Sequence, residues 1–344
     1  MEETYFLGAN SRVGFASLYR HFAAAPGDTL HVIKGGPGTG KSGFMRAVAA
    51  AARERGLDAE TVLCSGDPDS LDGVYIPALR QGWVDGTAPH TIDPAHFGAD
   101  GDYVDLGRFC RLPLTDPDRA RVTALYAAYR ARYAAAYRWL AAAGAAQDAA
   151  PEAILPQDAE KKLRRRIRGI LQRLAPCGEG GTEKERFLSA LSCRGELKLK
   201  LPERYATVYR LDERRGLVPL VLRIAEEEAA SRGLARILCR SPLCPEEPEG
   251  LLLPEAGIAF LAGEKRAEGE RGVHLDALLP PPEAEEKLAR RRALQLRRSA
   301  LEAATGQLRQ AKEQHDALEA VYRPYMDFAA LTEFTEQTVR AIFA

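Results

Sequence analysis

Residues 29–42 read TLHVIKGGPGTGKS, and the fold class is predicted mainly from this stretch. Its first part, Thr29–Lys34, is rich in apolar and β-branched side chains, which is typical of a short strand. The rest matches the pattern G-x-x-x-x-G-K-[ST], whose fixed positions are Gly35, Gly40, Lys41 and Ser42. An alanine-rich amphipathic run, FMRAVAAAARERG, follows and ends at Gly56, a natural helix stop. A strand, a glycine loop and a helix in this order predict a loop that binds phosphate.

The residue types of this loop suit the triphosphate tail of a nucleotide. Glycines let the backbone adopt positive φ and bring its N–H groups close to phosphate oxygens, and the helix N-terminus adds a partial positive charge. Lys41 is expected to reach the β- and γ-phosphates, and the Ser42 hydroxyl to bind Mg²⁺. The alternative is a glycine-rich turn that precedes a helix by chance. The predicted binding residues for ATP and Mg²⁺ are Gly35, Gly36, Pro37, Gly38, Thr39, Gly40, Lys41, Ser42 and Gly43.

A carboxylate at the end of a neighbouring strand would complete the Mg²⁺ shell, and Asp85 is the main candidate. It ends the short run QGWVD, although an aspartate of a surface turn is the alternative. A second group of carboxylates follows the strand-like run Glu60–Cys64, in the segment SGDPDSLDG. One of them would orient water or an acceptor hydroxyl, but Asp-Pro and Asp-Gly pairs are also turn chemistry. The secondary catalytic candidates, after Lys41 and Asp85, are Asp67, Asp69, Asp72 and His90.

Two missing features narrow the reaction. No glutamate follows Asp85, where many fast ATPases carry the base that activates water, so slow hydrolysis is expected. The chain has no Asn-Lys-x-Asp segment of the kind that selects guanine, which favours ATP over GTP. The leading hypothesis is a slow Mg²⁺-dependent ATPase, a nucleoside triphosphate hydrolase. Two alternatives stay open: a small-molecule or nucleotide kinase that uses one of the three aspartates as base, and a non-catalytic switch whose nucleotide exposes helices to a partner.

The second half of the chain repeats the first at a nearly constant offset. Four glycines and prolines recur 177 residues later, and the pairs are Gly56 with Gly233, Pro68 with Pro245, Gly73 with Gly250, and Pro77 with Pro254. Upstream we place the offset at 176, so that Val208 matches Val32 and Gly216 matches Gly40. A duplication explains these matches together.

The repeat predicts a duplicated α/β fold with one working loop. We expect a P-loop-type parallel sheet flanked by helices in each half, with long helical segments closing each half. The predicted domains are residues 1–178, with the intact loop, and residues 179–344. In the second domain Leu217 takes the place of Lys41 and Ala262 takes the place of Asp85. The second half is therefore not expected to bind nucleotide in this manner.

Several longer segments carry a resemblance to a known family. They read VIKGGPGTGKS, SGDPDSLDGVYIP, VDGTAPHTIDP and HDALEAVYRPYMDF. With them, the chain resembles tandem P-loop ATPase-like proteins of Gram-positive (Firmicutes) bacteria, within the P-loop-containing nucleoside triphosphate hydrolase superfamily. The resemblance covers nearly the whole chain and implies a duplicated P-loop domain and nucleotide binding, but no particular substrate. Members of this family often keep glycine-rich loops in both halves, whereas the second loop has degenerated here, which argues against a two-site mechanism.

Three segments predict helices outside the loop domain. The runs 119–149 and 283–322 read as long helices that could project as hairpins and bind a protein partner. Residues 161–174 form a basic helix with an apolar side made of Leu163, Ile167, Ile170, Leu171 and Leu174. Such a helix is compatible with nucleic acid or an anionic surface, but a solvated face beside an apolar packing stripe is the simpler interpretation.

Charge and composition set limits on the partners. The 344 residues include 48 basic and 48 acidic side chains, which argues against a general attraction to nucleic acid or membranes. The first residues contain two glutamates and no basic apolar leader, and no run approaches the ~20 apolar residues of a membrane span, so we expect a cytoplasmic protein. The six cysteines include no C-x₂-C pair, which favours reduced thiols over a zinc site.

Overall fold

A computed structural model divides the chain into two compact units that alternate along the sequence. The first unit comprises Met1–Trp139, Ala190–Leu197 and Glu302–Ala344, and the second comprises Leu140–Ser189 and Lys198–Leu301. The structure describes residues 2–89, 91–175, 177–178, 180–212, 215–263 and 268–344. The predicted domain boundary at residue 178 is based on the sequence repeat. The two compact units do not test that boundary, so it stays a prediction.

Within the described residues, the first half of the chain contains eight strands and three α-helices, and six of its strands form one sheet. In chain order they are β1 (Glu2–Phe6), β2 (Gly8–Ser11), β3 (Gly14–Ser17), β4 (Thr29–Lys34), α1 (Lys41–Glu54), β5 (Ala59–Leu63), β6 (Leu71–Ile76), β7 (Gln81–Asp85), β8 (Gly101–Asp105), α2 (Asp116–Asp148) and α3 (Gln157–Leu174). The strand and the helix predicted on either side of the glycine loop are therefore present. Gly56 follows the end of α1 with a φ of 70°, as expected for a residue that stops a helix.

The sheet of the first unit has the order β1–β5–β6–β7–β4–β8. β1 pairs with β5 in parallel, and β4 pairs in parallel with both β7 and β8. However, β6 runs antiparallel to its two neighbours, β5 and β7. The prediction of a parallel sheet is therefore wrong at β6, and the sheet is mixed. Only residues 77–80 join β6 to β7, which is too short for the crossover that parallel neighbours need.

The second half builds a sheet with the same strand order. Its elements are β9 (Glu183–Arg186), β10 (Ser189–Ser192), β11 (Gly195–Lys198), β12 (Thr207–Asp212), α4 (Val218–Ser231), β13 (Arg236–Arg240), β14 (Pro248–Leu253), β15 (Ile258–Ala262), β16 (Arg271–His274), α5 (Ala284–Tyr322) and α6 (Phe328–Ile342). The sheet order is β9–β13–β14–β15–β12–β16, and β14 is its antiparallel strand. The predicted two-fold repeat is confirmed.

Strand pairing corrects the upstream offset of the repeat. Thr29 lies opposite Gln81 in the first sheet, and Thr207 lies opposite Ile258 in the second. Because Gln81 and Ile258 are 177 residues apart, the strands β4 and β12 are offset by 178 residues and not by 176. Isolated identities such as the two valines misled the alignment, since a shift of two residues leaves each side chain on the same face of its strand.

The following helices correct the match at the loop. α1 begins at Lys41 and α4 begins at Val218, and both helices have 14 residues. Val218, and not Leu217, therefore occupies the position of Lys41. Leu217 instead matches Gly40, because each of these residues caps the N-terminus of its helix. The connection between strand and helix is one residue shorter in the second half, 213–217 against 35–40, which explains the slip.

The first sheet buries one face beneath helices α1 and α6. Among the sheet residues, Ile33, Val74 and Trp83 are almost fully buried. They belong to one apolar cluster with Phe44 and Met45 of α1, and Leu331 of α6 joins the same cluster. The core therefore lies directly behind the strand and helix that carry the glycine loop, and it fixes both ends of that loop.

In the second unit, α3 packs on α4 through the stripe predicted from the sequence. Four of the five predicted residues are buried, namely Leu163, Ile167, Ile170 and Leu171. Leu174 is 37% exposed, because it is the last residue of its helix. On the basic side, Arg164 pairs with Glu227 and Arg168 pairs with Glu228, both on α4. These ion pairs favour the structural interpretation of the basic helix over a surface for nucleic acid.

The two long helices are present with nearly the predicted bounds. Within the first unit, the part of α2 up to residue 139 and the part of α5 from residue 302 lie side by side. Val122 of α2 packs with Leu318 and Val321 of α5, and Ala136 packs with Leu308. The pairing is antiparallel, because the start of α2 meets the end of α5. Among the residues described, no helix has both the length and the apolar character needed to cross a bilayer.

Candidate functional site

The loop at residues 35–40 joins the end of β4 to the start of α1. Gly38 and Gly40 have φ values of 71° and 84°, in the left-handed region that favours glycine. A Cβ atom on Gly40 would lie 2.7 Å from Cδ2 of Leu331, so the loop or the leucine side chain would have to shift. Gly35 is similarly confined, because its Cβ atom would lie 2.5 Å from Oγ1 of Thr39. Positive φ at Gly38 and Gly40, and limited space at Gly35 and Gly40, therefore favour glycine at these positions.

The first two side chains of α1 lie against the loop and the sheet. Nζ of Lys41 donates hydrogen bonds to the carbonyl oxygens of Gly35 and Gly36, at 3.0 and 2.9 Å. The Ser42 hydroxyl oxygen accepts the N–H of Leu71, the first residue of β6, at 2.9 Å. The helix N-terminus thus presents a lysine ammonium group and a hydroxyl oxygen beside the glycine loop, as the sequence predicts.

Asp85 lies beside Lys41 because β7 is a parallel neighbour of β4. The register places Asp85 opposite Ile33, and its Oδ2 lies 3.7 Å from Nζ of Lys41. The other carboxylate oxygen, Oδ1, accepts the N–H and the hydroxyl of Thr87, at 2.8 and 2.6 Å. Both charged side chains are mostly buried, with 12% of the lysine and 14% of the aspartate exposed. The structure therefore brings together the lysine and the carboxylate that the sequence analysis singled out.

Two aspartates of the segment after β5 lie near the same place. Asp67 faces Lys312, whose Nζ lies 3.4 Å from Oδ2 of the aspartate. Asp72 is buried, and its Oδ2 accepts the Tyr19 hydroxyl at 2.9 Å. Asp67 is therefore the more accessible of the two carboxylates, whereas Asp72 lies within β6 and holds a neighbouring phenol.

The other two secondary candidates have no such placement. The side chain of Asp69 is 67% exposed and forms an ion pair with Arg194, and it takes no part in lining the cavity described below. His90 lies outside the described residues. Of the secondary candidates, the structure therefore groups Asp67 and Asp72 with the loop.

One cavity of about 610 Å³ joins these groups. The loop residues 35–43 form one part of its lining, and Asp67, Asp72 and Asp85 contribute carboxylates. The cavity thus combines backbone N–H groups at a helix N-terminus, the Lys41 ammonium group and three carboxylates. These are the donor and acceptor types that bind phosphate and a divalent cation.

Two helices supply a further part of the lining, which we name the α2–α5 wall. Its residues from α2 are Tyr126, Tyr129, Arg130 and Tyr133. Its residues from α5 are Lys312, His315 and Glu319. The sequence analysis missed these residues. Their spacing of three and four was a usable signal, because it places them on one side of each helix.

The C-terminal helices also contact the glycine loop itself. A Cβ atom on Gly38 would lie 3.4 Å from the backbone of Glu319 on α5. On α6, Phe334 packs against Phe44 and Phe109, with ring centroids 6.4 and 5.4 Å apart. Because Leu331 of α6 also fills the space next to Gly40, the far C-terminus shapes the loop.

Burial keeps the phenols and the thiol of the cavity in their neutral forms. It raises the pKa of Tyr129 to about 12, and it raises the pKa of Tyr133 well above the usual phenol value. Burial, together with the nearby carboxylate of Asp72, also raises the pKa of the Cys64 thiol. The phenols therefore act as hydrogen-bond donors at neutral pH, and Cys64 is not a thiolate nucleophile.

The equivalent positions of the second half carry none of this chemistry. Leu217, which caps α4, has a φ of −84° and is buried, and Val218 follows it. Ala262 stands where the first half has Asp85. In the same loop, the guanidinium of Arg215 donates to the carboxylate of Glu286 at 2.9 Å. Of the described residues in this connection, Arg215 and Leu217 are thus buried, and neither lines a cavity like that of the first half.

The groups around the first loop are compatible with a nucleotide triphosphate and Mg²⁺. Positive-φ glycines, a mostly buried lysine, a hydroxyl at the helix N-terminus and a carboxylate on the neighbouring strand form the required donor set. Comparison with family models, with curated proteins and with solved structures finds no match for this chain.

Proposed function

We propose that the chain binds ATP with Mg²⁺ at residues 35–43 and hydrolyses it slowly. The observation that carries the proposal is the mostly buried pair of Lys41 and Asp85, 3.7 Å apart, beside a loop in which a Cβ atom on Gly35 or Gly40 would lie within 3 Å of a neighbouring side chain. A lysine at a helix N-terminus and a carboxylate at the end of the adjacent parallel strand are the charges that a metal-bound triphosphate requires.

Each group has a distinct role in this proposal. The backbone N–H groups of the loop and of the first turn of α1 bind phosphate oxygens. Lys41 leaves the carbonyl oxygens of Gly35 and Gly36 and neutralises the terminal phosphates. The Ser42 hydroxyl and the Asp85 carboxylate hold Mg²⁺, directly or through water. Mg²⁺, when bound, supplies positive charge on the transferring phosphoryl group.

The pattern around Asp85 supports slow rather than rapid hydrolysis. Gly86 follows Asp85 in the chain, so the neighbouring position offers no carboxylate to activate water. Asp67 is the accessible carboxylate of the cavity, but it faces the ammonium group of Lys312. The Asp67 carboxylate is therefore held in an ion pair and is not placed as a free base beside an attacking water.

We further propose that the chain is a tandem P-loop ATPase-like protein with one working site. The shared strand order of the two sheets supports a duplication. The replacement of Lys41 by Val218 and of Asp85 by Ala262 supports the loss of the second site. The second half then serves as a structural lobe and binds no nucleotide through its loop.

The experiment that tests the proposal measures binding and hydrolysis of Mg²⁺-ATP by the wild type and by Lys41→Ala. Loss of one charge-assisted hydrogen-bonding group should weaken ATP binding by about 10- to 100-fold and abolish phosphate release above background. Lys162→Ala, a change of the same type at an exposed position of α3, is the matched control and should behave as the wild type. Equal ATP binding by the wild type and by Lys41→Ala would refute the assignment of the site.

A further inference from the structure

The cavity extends beyond the groups that a triphosphate and a metal ion would use. Lys41, Ser42 and Asp85 account for the phosphate and metal end. The α2–α5 wall lines the same cavity, but it carries phenol rings and a guanidinium group instead of phosphate-binding backbone. The wall begins at the loop, because Glu319 meets Gly38, and it continues one turn further along α5 at His315. It therefore forms a surface beside the phosphate site.

Aromatic rings form the central part of this wall. The ring centroid of Tyr129 lies 4.9 Å from that of Tyr133 and 5.9 Å from that of His315. These rings are inclined to one another at 57° and 44°, so they do not form one flat stack. Tyr129 and Tyr133 are both partly exposed. Part-exposed rings that line a cavity favour a planar aromatic ligand, which gains stacking energy on any of them.

The wall also carries one uncommitted positive charge. Arg130 is exposed and lines the cavity, and among the described residues no hydrogen bond or ion pair engages its guanidinium. Lys312, by contrast, lies 3.4 Å from the carboxylate of Asp67 and 2.5 Å from that of Asp316. Arg130 is thus available to bind an anionic group such as a phosphate, for which a guanidinium is well suited.

Carboxylate oxygen is the third chemistry at this place. The hydroxyl of Tyr133 lies close to Gly66, the residue before Asp67. A Cβ atom on Gly66 would be 2.5 Å from that hydroxyl. The aromatic surface and the Asp67 carboxylate are therefore adjacent. A carboxylate accepts hydrogen bonds from ligand hydroxyls, such as those of a sugar.

We propose that the α2–α5 wall binds a second nucleotide, a nucleoside monophosphate, beside the triphosphate. This ligand class combines the three matching groups: a planar base for the tyrosine rings, a phosphate for Arg130, and ribose hydroxyls for Asp67. The inference rests on the proposed function, because it places the triphosphate at Lys41. It makes the wall a site for a second ligand and not for the base of ATP.

The test titrates AMP, by calorimetry, into protein saturated with Mg²⁺ and the non-hydrolysable analogue AMP-PNP. AMP should still bind, and Tyr129→Leu should weaken it about tenfold through lost stacking, whereas Tyr129→Phe should bind within about threefold of the wild type. Arg130→Gln should weaken AMP about tenfold but leave adenosine binding unchanged, because adenosine has no phosphate. Tyr103→Leu, at an exposed tyrosine of β8 outside the cavity, is the matched control.

Three outcomes would overturn the inference. In the first, AMP fails to bind while AMP-PNP binds. In the second, Tyr129→Leu and Arg130→Gln both leave AMP binding unchanged. Alternatively, Tyr129→Leu weakens AMP-PNP and not AMP, which would place the base of the triphosphate on the wall. Failure of AMP-PNP to bind to the wild type contradicts the proposed function instead, and AMP binding that still depends on Tyr129 and Arg130 then supports the second site on its own.

Discussion

The loops that join strand to helix in the two halves have the same place in the fold and opposite chemistry. In the first half, Gly40 caps α1 with a φ of 84°, and Lys41 begins the helix on the edge of a cavity. In the second half, Leu217 caps α4 with a φ of −84°, and Val218 begins a helix of the same length. Both Leu217 and Val218 are buried in the core of the second unit. The sheet and its helix therefore form without the loop chemistry.

This difference separates what stabilises the fold from what forms the site. Apolar packing between the sheet and its helix is present in both units, and it specifies the strand order. The glycines and charges of the first loop do not contribute apolar packing of this kind. Lys41 and Asp85 are mostly buried charges, and burying charges costs desolvation free energy. Such a pair is costly to keep for structure alone, which supports a role in ligand binding.

The largest expected effect comes from Gly40→Ala. A methyl group there would lie 2.7 Å from Leu331 on a residue with positive φ, so the loop must move. We expect Mg²⁺-ATP binding to weaken by at least about 100-fold, as measured by calorimetry. Gly216→Ala is the control in the second half, because Gly216 also has positive φ, at 86°, but its nearest neighbour lies 3.7 Å from the Cβ position. That variant should bind ATP as the wild type does.

A second substitution separates the two causes of the Gly40→Ala effect, which are the contact with Leu331 and the positive φ. Leu331→Ala removes the side chain that a Cβ atom on Gly40 would meet, but it leaves the positive φ in place. The double variant Gly40→Ala with Leu331→Ala should recover about tenfold in ATP affinity over Gly40→Ala alone. Folded protein that shows no recovery would mean that packing by α6 does not control the loop.

An intermediate effect is expected from Asp85→Asn. The amide keeps the shape of the side chain but loses the charge beside Lys41 and the metal ligand, so Mg²⁺-dependent ATP affinity should fall about tenfold. Affinity measured without Mg²⁺ should change much less. The reciprocal variant Ala262→Asp should create no second site, because Val218 occupies the position of the lysine. Binding of ATP by the second half of this variant would contradict that expectation.

The smallest expected effect lies on the packed side of the second unit. The hydrogen bonds from Arg168 lower the pKa of the Glu228 carboxyl, so this pair stabilises the fold above the usual carboxyl pKa and the contribution disappears as pH falls. Arg168→Gln should therefore cause a slight drop in Tm at pH 7 that shrinks as the pH falls below the usual carboxyl pKa and vanishes below the lowered pKa of Glu228. ATP binding should not change. A larger drop at low pH than at pH 7 would contradict this account.

Local patterns made much of the first unit predictable from the sequence. The strand β4, the strand β7 and the helix α1 each have a clear periodicity or stop signal, and the glycine motif fixes the loop between them. Asp85 could be named because a parallel neighbour must end at the same edge of the sheet. These inferences need only short-range information and general rules of strand pairing.

What the sequence did not reveal depends on distant parts of the chain. The contacts of Glu319 with Gly38, and of Leu331 with Gly40, join residues far apart in the sequence. The antiparallel direction of β6 follows from its short connection to β7, which the P-loop motif does not encode. The true offset at β12 required the strand register, since one identical valine cannot fix an alignment.

The stoichiometry of Mg²⁺-ATP binding, measured by calorimetry on the folded wild-type chain, tests whether residues 35–43 form the one working triphosphate site. One triphosphate per chain is expected at the first loop, with an affinity at least about 100-fold weaker when Gly40 is changed to alanine. Two triphosphates per chain would contradict a single working triphosphate site. The absence of any heat with ATP or GTP would contradict the assignment of residues 35–43 altogether.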